Sequence, residues 1–176
     1  MTVDDRARLG FAAAEHYDSY RPSYPPAVIA YLREAAEITS RSTVVDLAAG
    51  TGLMTRLLPP VGRLIAVEPL AEMRQVLAVR VPEAEVIAGT AERTGLTDAV
   101  ADAVVVAQAF HWFANHDAVR EIVRILKPGG VIALVWNVRD SSDPFMEKLY
   151  AVLAPHRDNS PGHDNMAWRE VFEVGD

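Results

Sequence analysis

Apolar runs alternate with segments of helical periodicity along the chain from residue 43 onward. Short runs rich in Val, Ile and Ala predict strands at 43–47, 63–67, 84–88, 103–107 and 131–136. Apolar residues at helical spacing predict helices at 26–38, 52–58, 71–80, 143–153 and between Asn115 and Lys127. Strands that are apolar at every position are buried on both faces. The pattern therefore predicts an α/β fold, with a doubly wound, mostly parallel sheet covered by helices on each side.

Composition narrows the classes of protein. The 176 residues fit one domain with a substantial core, and half of them are hydrophobic. The formal net charge is −7 and the basic residues are scattered, so we expect no nucleic acid as partner. Residues 1–20 lack the apolar core of a signal peptide, and no later run is long enough to span a membrane. We therefore expect a cytoplasmic protein with no membrane partner, and its oligomeric state stays open.

Residues that commonly hold metals are sparse. Cysteine is absent, which excludes disulfides, a thiolate nucleophile and cysteine-based metal sites. The histidines His116, His156 and His163 have no carboxylate neighbours at the spacing typical of metal ligands. We therefore expect no metal site.

The ends of the predicted strands are the places to look for a ligand site, because parallel sheets bind ligands beyond their carboxyl ends. The first strand contains Asp46 and is followed by the turn Gly50-Thr51-Gly52. This turn lacks the third glycine of the dinucleotide fingerprint G-x-G-x-x-G, and no G-K-[ST] follows, which excludes a P-loop. An acidic residue here repels a pyrophosphate and favours a cationic or zwitterionic ligand.

A second acidic residue, Glu68, ends the second strand 22 residues after Asp46. A carboxylate at about this distance holds the ribose hydroxyls in dinucleotide-type sites. The alternative is a surface glutamate that caps a turn. The matching first turn favours the ribose role.

These motifs resemble those of the class I S-adenosylmethionine-dependent methyltransferases, and more closely the small-molecule branch that includes trans-aconitate methyltransferase-like proteins. The resemblance covers roughly residues 10–155. The arm around Tyr17 also resembles that branch. Four segments carry the resemblance: Val44-Val45-Asp46-Leu47-Ala48-Ala49-Gly50-Thr51-Gly52, Val67-Glu68-Pro69 with Met73, Gly89-Thr90-Ala91-Glu92 and Gln108-Ala109-Phe110-His111-Trp112. The resemblance implies a Rossmann-like fold, S-adenosylmethionine as cofactor and transfer of a methyl group to a small-molecule acceptor.

The resemblance also implies roles for individual residues. Asp46 would face the charged methionine end of the cofactor, and Glu68 would hold its ribose. Other residues would approach the cofactor by backbone or line its adenine and methionine ends: Ala48, Gly50, Gly52, Pro69, Met73, Thr90, Ala91, Glu92, Gln108, Ala109 and Phe110. For the acceptor, we predict contacts from Tyr17, Tyr20, Arg21 and Trp112. The alternative for the three arm residues is an amphipathic segment laid over the core.

His111 is the candidate catalytic base, because it follows a strand end and histidine titrates near neutral pH. The alternative is a residue that only shapes the pocket, and a carboxylate acceptor would need no base. We expect Trp112 to form a wall of the acceptor pocket and Phe113 to belong to the core. If Arg21 or Arg139 lines the cleft, an acidic acceptor is favoured.

Two features depart from the family pattern. Ala48 replaces the usual glycine, and alanine fits there if φ stays negative. The two last strands of the family, one of them antiparallel, are not found, so we expect a C-terminally truncated chain. We divide it into an N-terminal arm and helix capping the cleft (1–40), the S-adenosylmethionine-binding core (41–155) and an incomplete C-terminal part (156–176). The competing functions are a nicotinamide-dependent oxidoreductase and a truncated, non-catalytic binding domain.

Overall fold

The structure, a computed structural model, describes residues 19–58, 60–138, 140, 142–156, 162–163 and 166–173. Within them five strands form one sheet: β1 (Thr43–Leu47), β2 (Arg63–Val67), β3 (Glu85–Ile87), β4 (Ala101–Ala107) and β5 (Leu126–Val135). Their order across the sheet is β3-β2-β1-β4-β5, and all four neighbouring pairs are parallel. The strand order reverses between β1 and β4, so the expected ligand crevice lies beyond their carboxyl ends.

Four α-helices and four short 3₁₀ helices surround the sheet in the same residues. The α-helices are α1 (Pro26–Ala35), α2 (Ala71–Arg80), α3 (His116–Ile125) and α4 (Pro144–Leu153). The 3₁₀ helices are Thr55–Leu57, Phe110–Trp112, Ala154–His156 and Ala167–Phe172. Side-chain caps fix two starts: Asn115 accepts from the Ala118 amide at 2.9 Å, and Asp143 accepts from the Phe145 amide at 2.8 Å.

The core has two parts, one on each face of the sheet. Val44 of β1 packs with Leu32 of α1 and Leu77 of α2 on one face. Val45, the next residue, packs with Ile122 of α3 on the other face. Successive residues of a strand point to opposite faces, so a strand between two helical layers must be apolar throughout. The predicted doubly wound sheet is confirmed.

The predicted helix at 52–58 is replaced by turns and the 3₁₀ helix Thr55–Leu57. Leu58 is extended, with φ −60° and ψ 138°. The residue before a proline is pushed out of the helical region, and Pro59 follows. Only short turns therefore fit between the glycine turn and Pro59.

The connection from α3 to β5 also differs from the prediction, because the strand begins directly after Ile125. Leu126 pairs with Ala101 and Val131 pairs with Ala103, so residues 127–130 bulge out opposite a single residue, Asp102. Lys127 Nζ lies 2.8 Å from both Asp102 oxygens. The Lys-Pro-Gly-Gly sequence thus ends the helix, as expected, but lies within the strand.

The loop before β4 is fastened to α3 by Glu121. Its Oε1 accepts from the Thr94 amide at 2.8 Å and from the Thr94 hydroxyl at 2.6 Å. Arg124 donates to both Glu121 oxygens, at 2.8 and 2.7 Å. The Arg124 hydrogen bonds, with those from Thr94, lower the pKa of Glu121 to about 2. The loop is thereby held near the carboxyl edge of the sheet.

We predict that Glu121→Gln lowers the free energy of unfolding at pH 7 by about 1–3 kcal/mol, the usual worth of hydrogen bonds to a charged group. Because the pKa of Glu121 falls from 4.5 to about 2 on folding, the wild-type advantage should disappear as pH drops through that interval. Urea denaturation at several pH values measures this, with Glu72→Gln on the exposed surface of α2 as control. A difference that is independent of pH would contradict the assignment.

Candidate functional site

The site is built where β1 and β2 end side by side. Leu47 pairs with Val67 in the sheet, so the residues that follow each strand leave it together. The Ala49 amide donates to the Val67 carbonyl at 3.1 Å, which ties the glycine turn to β2. Glu68 directly follows β2, and its side chain contacts the glycine turn.

Glu68 is a buried carboxylate, 5% exposed. Its Oε2 accepts from the Gly50 amide at 2.9 Å and its Oε1 from the Leu70 amide at 2.8 Å. Arg74 Nη1 holds the backbone below it, donating to the carbonyls of Glu68 (2.8 Å) and Pro69 (2.6 Å). Each carboxylate oxygen keeps a second lone pair for a hydroxyl donor. Glu68 is therefore not a surface glutamate, and its hydrogen bond with the Leu70 amide leaves lone pairs for the predicted ribose contact.

Asp46 is the second buried carboxylate, 1% exposed. Its Oδ2 accepts from the Thr55 hydroxyl at 2.5 Å, while no donor among the described residues reaches its Oδ1. Burial raises the pKa of Asp46 to about 7, and the charge of Glu68 adds to the rise, although Thr55 opposes it. A buried carboxylate oxygen without a donor is costly, and a cationic ligand group would satisfy it. This unpaired acceptor therefore fits the ammonium group at the amino end of S-adenosylmethionine.

Thr55 was not among the predicted site residues. It stands in the segment Leu53-Met54-Thr55-Arg56-Leu57, where Arg56 is exposed and Thr55 is fully buried. A hydroxyl next to Leu53 and Met54 was the available signal, because buried hydroxyls need an acceptor.

Ala48 has φ +58°, in the left-handed region. The condition under which alanine was expected to fit, a negative φ, is not met. Gly50 and Gly52 are also left-handed, at +58° and +87°. A Cβ at Gly52 would lie 3.1 Å from both Leu77 and Val81, so close packing as well as φ requires glycine there. The turn is therefore strained at one residue.

The predicted adenine side lies after β3. Thr90 and Arg93 exchange two backbone hydrogen bonds of 3.1 Å, which close a tight turn around Ala91 and Glu92. Ala91 is 6% exposed, and Glu92 Oε1 accepts from the Asn115 side chain at 3.0 Å. On the β2 side, Met73 is 2% exposed in the first turn of α2, and Pro69 is half-buried. Pro69 and the 90–93 turn thus follow the neighbouring strands β2 and β3, Met73 lies in the helix after β2, and their contacts with adenine stay predictions.

The residues predicted to line the methionine end, Gln108, Ala109 and Phe110, follow β4 and differ in burial. Gln108 is left-handed, with φ +59°, and its amide donates to the Val135 carbonyl at 2.8 Å, while Ala109 beside it is half-buried. Phe110 is fully buried and its ring stacks on Phe172 with 5.3 Å between centroids. The ring of Phe110 therefore packs in the core, and its predicted role in lining the methionine end is not supported by this arrangement.

His111 Nδ1 accepts from the Trp136 indole N–H at 3.2 Å. A neutral imidazole that accepts at Nδ1 carries its proton on Nε2, so it has no lone pair left for a base. This hydrogen bond favours the pocket-shaping alternative over the predicted base. Trp112 is half-buried, 5.4 Å from His111 between ring centroids. The Trp136 contact was not predicted.

The arm residues Tyr20 and Arg21 are more exposed to solvent than the residues at these strand ends. Tyr20 is 85% exposed and Arg21 is also exposed, whereas Tyr24 is buried in the core beside α1. Asn137, after β5, donates to the Ser23 carbonyl at 3.4 Å, which connects the arm to the carboxyl edge. Tyr17 and Arg139 fall outside the described residues, so their predicted roles remain predictions.

In the described segments, no group of three or more His, Asp or Glu residues is placed to hold a metal ion. In the same segments, no helix has the length and apolar character needed to cross a bilayer.

The chain belongs to the methyltransferase domain family, whose model matches residues 45–134. An uncharacterized methyltransferase-like protein of Schizosaccharomyces pombe is 38% identical over 89% of this chain and 62% of its own length. A Saccharomyces cerevisiae protein, named as an S-adenosylmethionine-dependent methyltransferase, is 24% identical over 76% of this chain and 48% of its own. A structure assigned as a type II methyltransferase of Anaeromyxobacter dehalogenans superposes with a TM-score of 0.70 and 29% identity, over 86% of this chain and 66% of that one.

These similarities confirm the Rossmann-like class I methyltransferase fold and indicate S-adenosylmethionine as the cofactor. The chain spans less than two thirds of the two relatives, 62% and 48% of their lengths.

We predict that Ala48→Gly stabilises the chain by about 0.5–1 kcal/mol, because glycine removes the left-handed strain of alanine. The adjacent change Ala49→Gly is the matched control, since Ala49 is in the core and its φ is not positive. It should destabilise by about 1 kcal/mol. Urea midpoints measure both changes, and equal signs would contradict the strain assigned to Ala48.

Proposed function

We propose that the protein transfers a methyl group from S-adenosylmethionine to a small-molecule acceptor, using the edge formed by β1, β2 and β4. The carrying observation is the pair of buried carboxylates on adjacent strand ends: Asp46, whose buried Oδ1 is reached by no donor among the described residues, and Glu68 beside the glycine turn. One suits an ammonium group and the other suits ribose hydroxyls. The family membership supports the same reaction class.

Asp46 and the glycine turn argue against a nicotinamide dinucleotide. A pyrophosphate would have to lie at this turn, near the Asp46 carboxylate, and the turn lacks the third glycine that lets a dinucleotide approach. The cationic Arg74 donates to backbone carbonyls below Glu68 and not into the turn. The local charge therefore favours a cationic ligand.

S-adenosylmethionine, when bound, supplies an electrophilic methyl group for in-line transfer to an acceptor O, N or C atom. The chain's own residues would hold and orient the cofactor. Asp46 would accept a hydrogen bond from its amino group and Glu68 from its ribose hydroxyls, and the glycine turn would let the cofactor approach the backbone closely. The half-buried rings of Trp112 and Trp136 lie beside His111, beyond the ends of β4 and β5, and would exclude water from the methionine end proposed at Gln108 and Ala109. No base is assigned, which suits an acceptor that is already nucleophilic, such as a carboxylate.

The acceptor and the setting of the reaction complete the proposal. Scattered basic residues and a net charge of −7 favour a small molecule over a nucleic acid. Residues 1–40 would cap the cleft, consistent with the contact between Asn137 and Ser23. Tyr17, Tyr20, Arg21 and Trp112 remain the proposed acceptor contacts. Absence of cysteine is compatible with a cytoplasmic location.

Titration calorimetry with S-adenosylhomocysteine and with NADH tests the proposed cofactor. We expect binding of the first and none of the second. Glu68→Gln should weaken S-adenosylhomocysteine binding by about tenfold or more, because the amide accepts fewer hydroxyl donors. Glu85→Gln on β3, whose carboxylate pairs with the exposed Arg63, is the control and should bind normally. Binding of NADH alone would overturn the proposal in favour of an oxidoreductase.

The pH dependence of binding tests the role of Asp46. Its pKa is raised to about 7, so the carboxylate is increasingly protonated, and unable to pair with a cation, as pH falls below 7. Affinity for S-adenosylhomocysteine should therefore rise with pH, by at most about tenfold per pH unit, and level off above about 7. Asp46→Asn should bind more weakly and lose this dependence. A wild-type affinity that does not change across neutral pH would contradict the role.

A further inference from the structure

We propose that Thr55 is a positioning residue, whose hydroxyl fixes the Asp46 carboxylate so that Oδ1 is presented to the amino group of the cofactor. The inference rests on the proposed function, because that function supplies the group that meets Oδ1. It adds a residue outside the strand-end motifs and assigns it a specific task.

The geometry restrains Asp46 through one oxygen. The Thr55 hydroxyl donates to Oδ2 at 2.5 Å, and the two side chains are 0% and 1% exposed. In the sheet, Asp46 is paired with Ala66 of β2 and Val105 of β4. Neither neighbour has a polar side chain, so the strands on either side offer Asp46 no side-chain hydrogen bond. Thr55 therefore sets the orientation of the carboxylate.

The backbone around Thr55 is itself fixed. The Arg56 amide donates to the Gly52 carbonyl at 3.1 Å, and the Leu58 amide donates to the Thr55 carbonyl at 3.3 Å. The second of these bonds, together with the Leu57 amide donating to the Met54 carbonyl at 2.9 Å, defines the 3₁₀ helix Thr55–Leu57. The position of the hydroxyl is thus determined by the glycine turn before it and by the extended residue that ends the helix. A regular helix at 52–58 was predicted, and the observed turn is what brings the hydroxyl to Asp46.

The charges near Asp46 are compatible with a bound cation. Glu68, at the end of β2, is the charged group of the described residues that acts on it, and its charge raises the pKa of Asp46. Arg74 of α2 acts instead on Glu68, lowering that pKa against the effect of burial. On the glycine-turn side Thr55 lowers the pKa of Asp46 through its hydroxyl and its backbone. Thr55 therefore favours the ionised form of the carboxylate, against the larger effect of burial, and also orients it.

Replacement of the hydroxyl has two consequences. Thr55→Val keeps the branched shape and removes the donor, so Oδ2 becomes a second buried oxygen without a partner. The pKa of Asp46 should rise, and the pH at which binding is half-maximal should rise with it by about one unit, which corresponds to about tenfold weaker binding near pH 7. Thr55→Ser restores the hydroxyl and should restore both quantities.

The test is calorimetry of S-adenosylhomocysteine binding to the full chain between about pH 6 and about pH 9. Thr94→Val is the matched control, because Thr94 is also buried and donates its hydroxyl to a carboxylate, that of Glu121, at 2.6 Å. It should lower stability and leave the binding midpoint unchanged. Thr55→Val should raise the midpoint, and Thr55→Ser should return it to the wild-type value.

An unchanged affinity and midpoint in Thr55→Val would overturn the proposal, as would the same midpoint shift in Thr94→Val. A second measurement separates this failure from failure of the proposed function. Carboxyl NMR of the ligand-free chain reports the pKa of Asp46 directly. If wild-type chain binds no S-adenosylhomocysteine, the proposed cofactor is wrong, and an Asp46 pKa that Thr55→Val leaves unchanged shows that the positioning role is wrong too.

Discussion

The carboxyl edge of the sheet is organised around two buried carboxylates, Asp46 and Glu68, at the ends of two adjacent parallel strands. Each is at least 95% buried, and the nearby charge of Glu68 disfavours ionisation of Asp46. Because the pKa of Asp46 rises from 3.8 to about 7, its burial costs stability as pH increases through that interval. The uncompensated burial of the Asp46 carboxylate is explained most simply if a bound cationic ligand supplies the missing compensation.

The surrounding backbone is arranged to serve this pair. Gly50 turns its amide toward Glu68, and Gly52 leaves space for the α2 residue Leu77. Two residues other than glycine, Ala48 after β1 and Gln108 after β4, adopt left-handed conformations at the same edge of the sheet. Strain of this kind persists where surrounding structure fixes it, and it concentrates at ligand sites. Part of the strain therefore lies at the carboxylate edge, while Glu37, Ala99 and Met166 are left-handed outside the turns after β1 and β4.

Much of this was readable from the sequence, and for a physical reason. Strands buried on both faces must be apolar throughout, so the runs at 43–47 and 63–67 marked the sheet, and their polar successors marked the site. Contacts that depend on exact turn geometry were not readable. Thr55 reaches Asp46 from a 3₁₀ helix where a regular helix was predicted, Trp136 reaches His111 across separate strand ends, and the positive φ of Ala48 has no signature in the sequence. Residue 110 looked like a site residue by position, but its ring completes the core.

The central claim is that Asp46 binds the amino end and Glu68 binds the ribose of one S-adenosyl ligand. A crystal structure of the chain with S-adenosylhomocysteine tests it most directly. The account predicts the ligand amino nitrogen at about 3 Å from Asp46 Oδ1, and both ribose hydroxyls within the same distance of the Glu68 carboxylate. A ligand whose amino group lies away from Asp46, with Oδ1 bonded to protein alone, would contradict it.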